Sequence, residues 1–81
     1  MAPLNDKDRE RVAVATAIAA GCHPCTQHHV RAALESGLSP EEIQRAIDIA
    51  YAIRREAGDA VAALGKRLAG SAETGPGQAN G

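Results

Sequence analysis

The chain has no tryptophan and no phenylalanine, and Tyr51 is its single aromatic residue. It therefore lacks the stacking platforms on which single-stranded bases are held. Positive charge is not in excess either: 9 Lys and Arg stand against 10 Asp and Glu, a net charge of −1. No general field draws in nucleic acid. No stretch approaches the roughly 20 apolar residues of a membrane span. The segment from Met1 to Arg11 is studded with charge and has no apolar core of a signal peptide. These absences predict a cytoplasmic protein with neither nucleic-acid nor membrane partners. Large apolar side chains are scarce as well, since 18 of the 36 residues in the set AVILMFWYC are alanine. With 81 residues the chain has room for one small domain, and a domain this small buries only about 60% of its unfolded surface. Methyl groups make a thin core, so the fold is expected to be completed by other copies. Two cysteines in a reducing compartment point to redox chemistry or metal binding, not to a structural staple.

What is present reads as an all-α subunit of two shorter helices and one long one. The first helix is predicted from about Asn5 to Ala20, capped by Asn5 or Asp6 and ended by Gly21. Val12, Ala15, Ile18 and Ala19 are its expected apolar side. Pro24 fits the first turn of a second helix, where its missing N–H costs nothing. Val30, Ala33 and Leu34 make that helix's stripe, and Gly37 suits the position after its end. Ser39-Pro40-Glu41-Glu42 is a capping box, with Ser39 as cap, Pro40 at the first helical position and Glu42 reaching back. From there Ile43, Ala46, Ile47, Ala50, Ile53 and Ala57 keep a helical rhythm that continues to Val61, Leu64 and Leu68. A single long helix follows, with Gly58 the place for a kink or interruption. Residues 1–69 form the single helical domain, and residues 70–81, rich in Gly, Ser, Ala and Pro, are predicted to be a disordered tail.

The chemistry is concentrated between Cys22 and His29, a segment that holds both cysteines and all three histidines. Two thiols at i and i+3 on a helix are close enough to join with little backbone movement. At a helix N-terminus the free amides favour the thiolate, the nucleophilic form. Taking Cys25 as zero and about 100° per residue, Cys22 lies at about +60°, His29 at about +40° and His28 at about −60°. His29 therefore shares a face with both thiols. Its imidazole leans back over Cys25 from i+4, beside the Val30, Ala33 and Leu34 stripe, giving a partly desolvated thiol with a base next to it. His28 is expected to be solvated or at an interface. His23, before Pro24, is expected in a loop, from which it could tune the thiols when protonated.

Glu10, eleven residues, then Cys22-x-x-Cys25-x-x-x-His29 resembles the signature of the alkylhydroperoxidase D-like, or carboxymuconolactone decarboxylase-like, superfamily. Gly37-Leu38-Ser39-Pro40-Glu41-Glu42-Ile43 is similar to the stretch that follows the redox helix in that family, and the likeness covers about residues 5 to 57. It implies an all-helical subunit assembling into trimers or hexamers, with peroxidase or disulfide reductase activity. By this resemblance Cys25 is the nucleophile, Cys22 the resolving thiol, His29 the base and Glu10 the residue that orients His29 or relays its proton. No bound cofactor is implied. An external dithiol, lipoyl-type or thioredoxin-like, would recharge the pair after a small oxidised substrate has been reduced. Glu10 lies about 16 Å along its helix from Gly21. It reaches His29 only if the second helix folds back across the first, or if another subunit supplies the contact.

Blander readings stand beside this one. The cysteines could be small buried hydrophobes. Alternatively Cys22, Cys25 and His29 could be three zinc ligands of a helical domain without catalysis, with His23, Glu10 or a neighbouring subunit as the fourth. Covalent haem needs His directly after the second Cys, and Thr26 stands there. Glu10 taken alone is an ordinary first-turn helix acid. Arg54, on the apolar stripe of the third helix, is expected to extend to solvent or pair with an acid across a subunit contact.

Overall fold

Asn5 opens the first helix, accepting from the Asp8 N–H at 2.8 Å through its side-chain oxygen. In the computed structural model, which describes residues 4–72, this helix, α1, runs Asp6–Ala20 and ends at Gly21, in the left-handed region at φ 68°. A second helix, α2, runs His23–Glu35, and a third, α3, runs Pro40–Ala72. Among the described residues there is no strand, as an all-α chain requires.

α1 lies between the other two helices and packs on both, while α2 and α3 barely meet. Its buried face is Glu10, Val14 and Ala17, not the expected side of Val12, Ala15, Ile18 and Ala19. Val12 is exposed and Val14 is the fully buried one. The reason is compositional: apolar residues surround this alanine-rich helix on every side, so its periodicity marks no single stripe. Val14 packs with Ala33, Leu38 and Ile43, and Val30 and Ile47 close the cluster. Ala33 of the expected α2 stripe is buried as predicted, whereas Leu34 is exposed.

The connection into α3 follows its sequence signal closely. Gly37 adopts φ 103° after the end of α2, a conformation that costs glycine little. Ser39 Oγ accepts from the Glu42 N–H at 3.1 Å, and Glu42 accepts from the Ser39 N–H at 2.9 Å. Glu42 also accepts from Arg11 at 3.1 Å, tying the start of α3 to α1. These partners, the Ser39 N–H first and then Arg11, hold the Glu42 carboxyl below its ordinary value of 4.5.

α3 is 33 residues long and passes through Gly58 without interruption. It also continues through Gly70 to Ala72, where a tail was expected; the rest of that predicted tail, 73–81, lies outside the described residues. Only its first part is covered. Ile43 and Ala50 are 4% exposed, whereas Val61 is 69% and Leu68 61% exposed. The radius of gyration, 18.7 Å, exceeds the roughly 12 Å of a compact chain of this length, because half of α3 projects past the other helices.

Candidate active site

Cys22 and Cys25 face each other across the first turn of α2. Cys22 is the N-cap, in extended conformation, and its sulfur accepts from the Cys25 N–H at 3.3 Å. The two sulfurs are bonded to each other as a disulfide. The site thus begins in a local fact: the residue that caps α2 is also one half of the disulfide. His23 and Pro24 occupy the first two helical positions, so His23 is the first residue of α2 and not part of a loop.

α2 folds back along α1, and that brings His29 to Glu10 within one chain. His29 Nδ1 lies 3.0 Å from Glu10 Oε1. A carboxylate oxygen accepts only, so the proton of this bond sits on Nδ1 and Nε2 is left as the basic nitrogen. Glu10 is in the second turn of α1, not the first, and among the described residues it is the buried charged side chain, at 7% exposure. Its other oxygen has Arg9 Nε at 3.9 Å. Burying a carboxylate costs several kcal/mol unless it is answered; here the imidazole answers it. His28, exposed, stands edge-on to the His29 ring with centroids 4.7 Å apart.

Two hollows flank the disulfide. The smaller, about 310 Å³, is lined by Cys22, Cys25 and His29 together with small residues of α1, among them Ala13, Thr16 and Ala17. The larger, about 660 Å³, is lined by Cys22 but not Cys25, with an apolar floor of Ile18, Val30 and Leu34 and with Gln27 and Arg31 also contributing. Cys22 is therefore reachable from both. Cys25 is exposed and Cys22 half-buried, so the desolvation expected of the pair is met at Cys22 alone in the single chain. The small α1 side chains explain the hollow: alanine and threonine opposite His29 leave room that larger residues would fill.

Cys22, Cys25 and His29, the histidine that the helical wheel sets on their face, line one hollow, and Glu10 joins them through His29. The same three side chains, Cys22, Cys25 and His29, are the donors of the zinc reading. The sulfurs are joined to each other, and among the described residues no three His, Cys, Asp or Glu side chains are grouped to hold a metal ion. Two features lay beyond the sequence. That Glu10 would be buried needed the helix packing to be known. Arg54 is exposed, as expected, and within the chain its Nη1 donates to the Ala19 carbonyl at 2.7 Å.

A model of the carboxymuconolactone decarboxylase family matches residues 2–66. The chain belongs to that family. With it comes the alkylhydroperoxidase D-like superfamily, to which the Glu10, Cys22, Cys25 and His29 spacing had pointed. No curated protein and no solved structure matches the chain. A carboxymuconolactone decarboxylase family chain carrying a Cys-x-x-Cys pair at bonding distance is consistent with a redox function. Among the described residues no helix is long and apolar enough to cross a membrane.

Proposed function

We propose that the protein is a thiol peroxidase or disulfide reductase that works through Cys25 and Cys22. The observation that carries this reading is the shared hollow: Cys22, Cys25 and His29 line one cleft, with Glu10 fixing the tautomer of His29. In the reduced protein His29 Nε2 takes the proton of Cys25. With a hydroperoxide, the Cys25 thiolate attacks the terminal oxygen, the O–O bond breaks, an alcohol leaves and Cys25 becomes a sulfenic acid. The Cys22 thiol then attacks that sulfur and water departs as the Cys22–Cys25 bond forms. With a disulfide substrate, Cys25 forms a mixed disulfide and expels one thiol, and Cys22 displaces the second. Both routes pass two electrons to the substrate and end in the bonded state seen here.

An external dithiol of the lipoyl or thioredoxin class reverses the bond. The larger groove offers it Cys22: the donor thiol gives its proton to His29 and attacks there, the disulfide breaks and Cys25 leaves as a thiolate, to which His29 returns that proton. The donor's second thiol then frees Cys22 and leaves as an oxidised pair. Such a donor stays reduced in the cytoplasm, and we place the protein there. We further propose a homo-oligomer, a trimer or hexamer, in which the bare half of α3 is covered by other copies. Its support is the exposure of Val61, Leu64 and Leu68 on the stripe that Ile43 and Ala50 bury nearer the helix start.

The test is turnover of a hydroperoxide and of a small disulfide with dihydrolipoamide as donor. Wild type is expected to turn over at least one, Cys25→Ser neither. Cys22→Ser should stop after one half-reaction, trapping a sulfenic acid or mixed disulfide at Cys25 visible by mass. Equal rates in wild type and Cys25→Ser would sink the reading.

A further inference from the structure

Cys22 stands between two helix ends of opposite polarity. As N-cap of α2 it faces that helix's free amides, which favour a thiolate. One residue behind it, α1 ends in carbonyls that carry partial negative charge and disfavour one. Two of these carbonyls are answered by the turn itself, Ala17 O by the Cys22 N–H and Ile18 O by the Gly21 N–H, each at 3.0 Å. A helix commonly balances such an end with a basic residue in its own last turn, and α1 has none there.

The balancing charge comes from α3. Arg54 Nη1 donates to Ala19 O at 2.7 Å, and the guanidinium lies over Gly21. A Cβ built on Gly21 would meet Nη1 and Nη2 at 3.0 Å and Cζ at 3.1 Å. Gly21 is thus fixed twice, by its φ of 68° and by the group resting on it. The same arginine joins the covered half of α3 to the turn that carries Cys22.

We propose that Arg54 is a positioning residue of the redox turn: its guanidinium cancels the negative end of α1 and biases the Cys22–Cys25 pair toward the reduced, thiolate-bearing state. The inference deepens the redox reading above and rests on it for the identity of the pair. Arg54 touches neither sulfur nor substrate; it acts through the Ala19 carbonyl and the Gly21 backbone.

The experiment is the equilibrium of the full-length protein with reduced and oxidised glutathione, read by mass after acid trapping, in wild type, Arg54→Gln and Arg54→Lys. Two glutathione thiols supply two electrons and two protons to the Cys22–Cys25 bond and are joined as glutathione disulfide. The glutamine variant keeps a donor for Ala19 O without the charge, whereas the lysine variant keeps both. Arg54→Gln is expected to shift the constant about two- to fivefold toward the disulfide, the size of a helix-end charge effect. It should also slow iodoacetamide alkylation of the reduced pair at neutral pH by a similar factor, with Arg54→Lys restoring most of both. A wild-type constant and alkylation rate in Arg54→Gln would overturn the proposal, whatever happens to the melting temperature. Should that variant lose its helicity, Arg54→Met, a good helix former that removes charge and donor together, decides in the same way: the shift supports the proposal and a wild-type constant overturns it. No peroxide or substrate enters the measurement. A protein that equilibrates normally but never turns over would end the catalytic reading and leave this one standing.

Discussion

The two halves of α3 carry one pattern and meet opposite fates. From Ile43 to Ala50 the stripe lies on α1, with Ile43 and Ala50 buried; Ile53, next along it, is already exposed, and Arg54 beside it is bonded to the Ala19 carbonyl. From Ala57 to Leu68 the same stripe continues in the same phase, and Val61, Leu64 and Leu68 are all exposed. The difference shows what periodicity reports: the face that needs cover, not whether the same chain supplies it. Soluble helices rarely leave so long an apolar stripe open, which is why we assign its cover to other copies.

The largest effect should come from breaking the bare half. Val61→Asp together with Leu64→Asp is expected to reduce the protein to single chains by sedimentation, while Val61→Ala and Leu64→Ala leave it assembled. A wild-type protein that sediments as a single chain at every concentration would remove the proposed cover. The site is the next place to press. His29→Ala should slow turnover by about 10²-fold, a typical size for a positioned base. Glu10→Gln, which can no longer impose the Nδ1–H tautomer, should fall between that variant and wild type. If Glu10→Gln matched wild type across pH, the carboxylate would be a packing residue.

Stability sharpens the contrast further. Val14→Ala removes a fully buried side chain and is expected to cost about 2 kcal/mol in urea unfolding. Val61→Ala should cost less than about 0.5 kcal/mol in a single-chain background, and visibly more in the assembled protein. The smallest effect belongs to Glu42. Its folded carboxyl lies below the ordinary 4.5, held by the Ser39 N–H and by Arg11. Its contribution is therefore complete above about pH 4.5 and fades as pH falls through the folded value. Glu42→Gln should flatten a small part of the acid limb of the stability curve, and an unchanged limb would mean that exposed Glu42 contributes nothing measurable.

Much of this was legible in the residues, for identifiable reasons. The capping box at Ser39 and the left-handed stops at Gly21 and Gly37 are local, and local chemistry survives folding. His29 was separable from His28 because helix geometry alone puts it over Cys25. The buried face of α1 was not legible, since alanine on every side gives the helix no preferred stripe, and Val14 emerged only from its neighbours. Arg54 was read as a solvated or acid-paired charge. Its partner is a backbone carbonyl 35 residues away, and side-chain patterns carry no trace of that. Family resemblance foretold the Glu10–His29 contact, but only the fold-back of α2 explains it within one chain.

The central claim, that Cys22 and Cys25 form a reversible redox pair driven by a base on the same face, is tested most directly by counting. Reduced protein is mixed with one equivalent of hydroperoxide, its thiols are blocked, and its mass is measured before and after dithiothreitol. The account predicts that both thiols disappear together as one intramolecular disulfide, with one equivalent of alcohol formed and full return on reduction. Thiols that persist, or a Cys25 oxidised to sulfinic acid while Cys22 stays free, would contradict it.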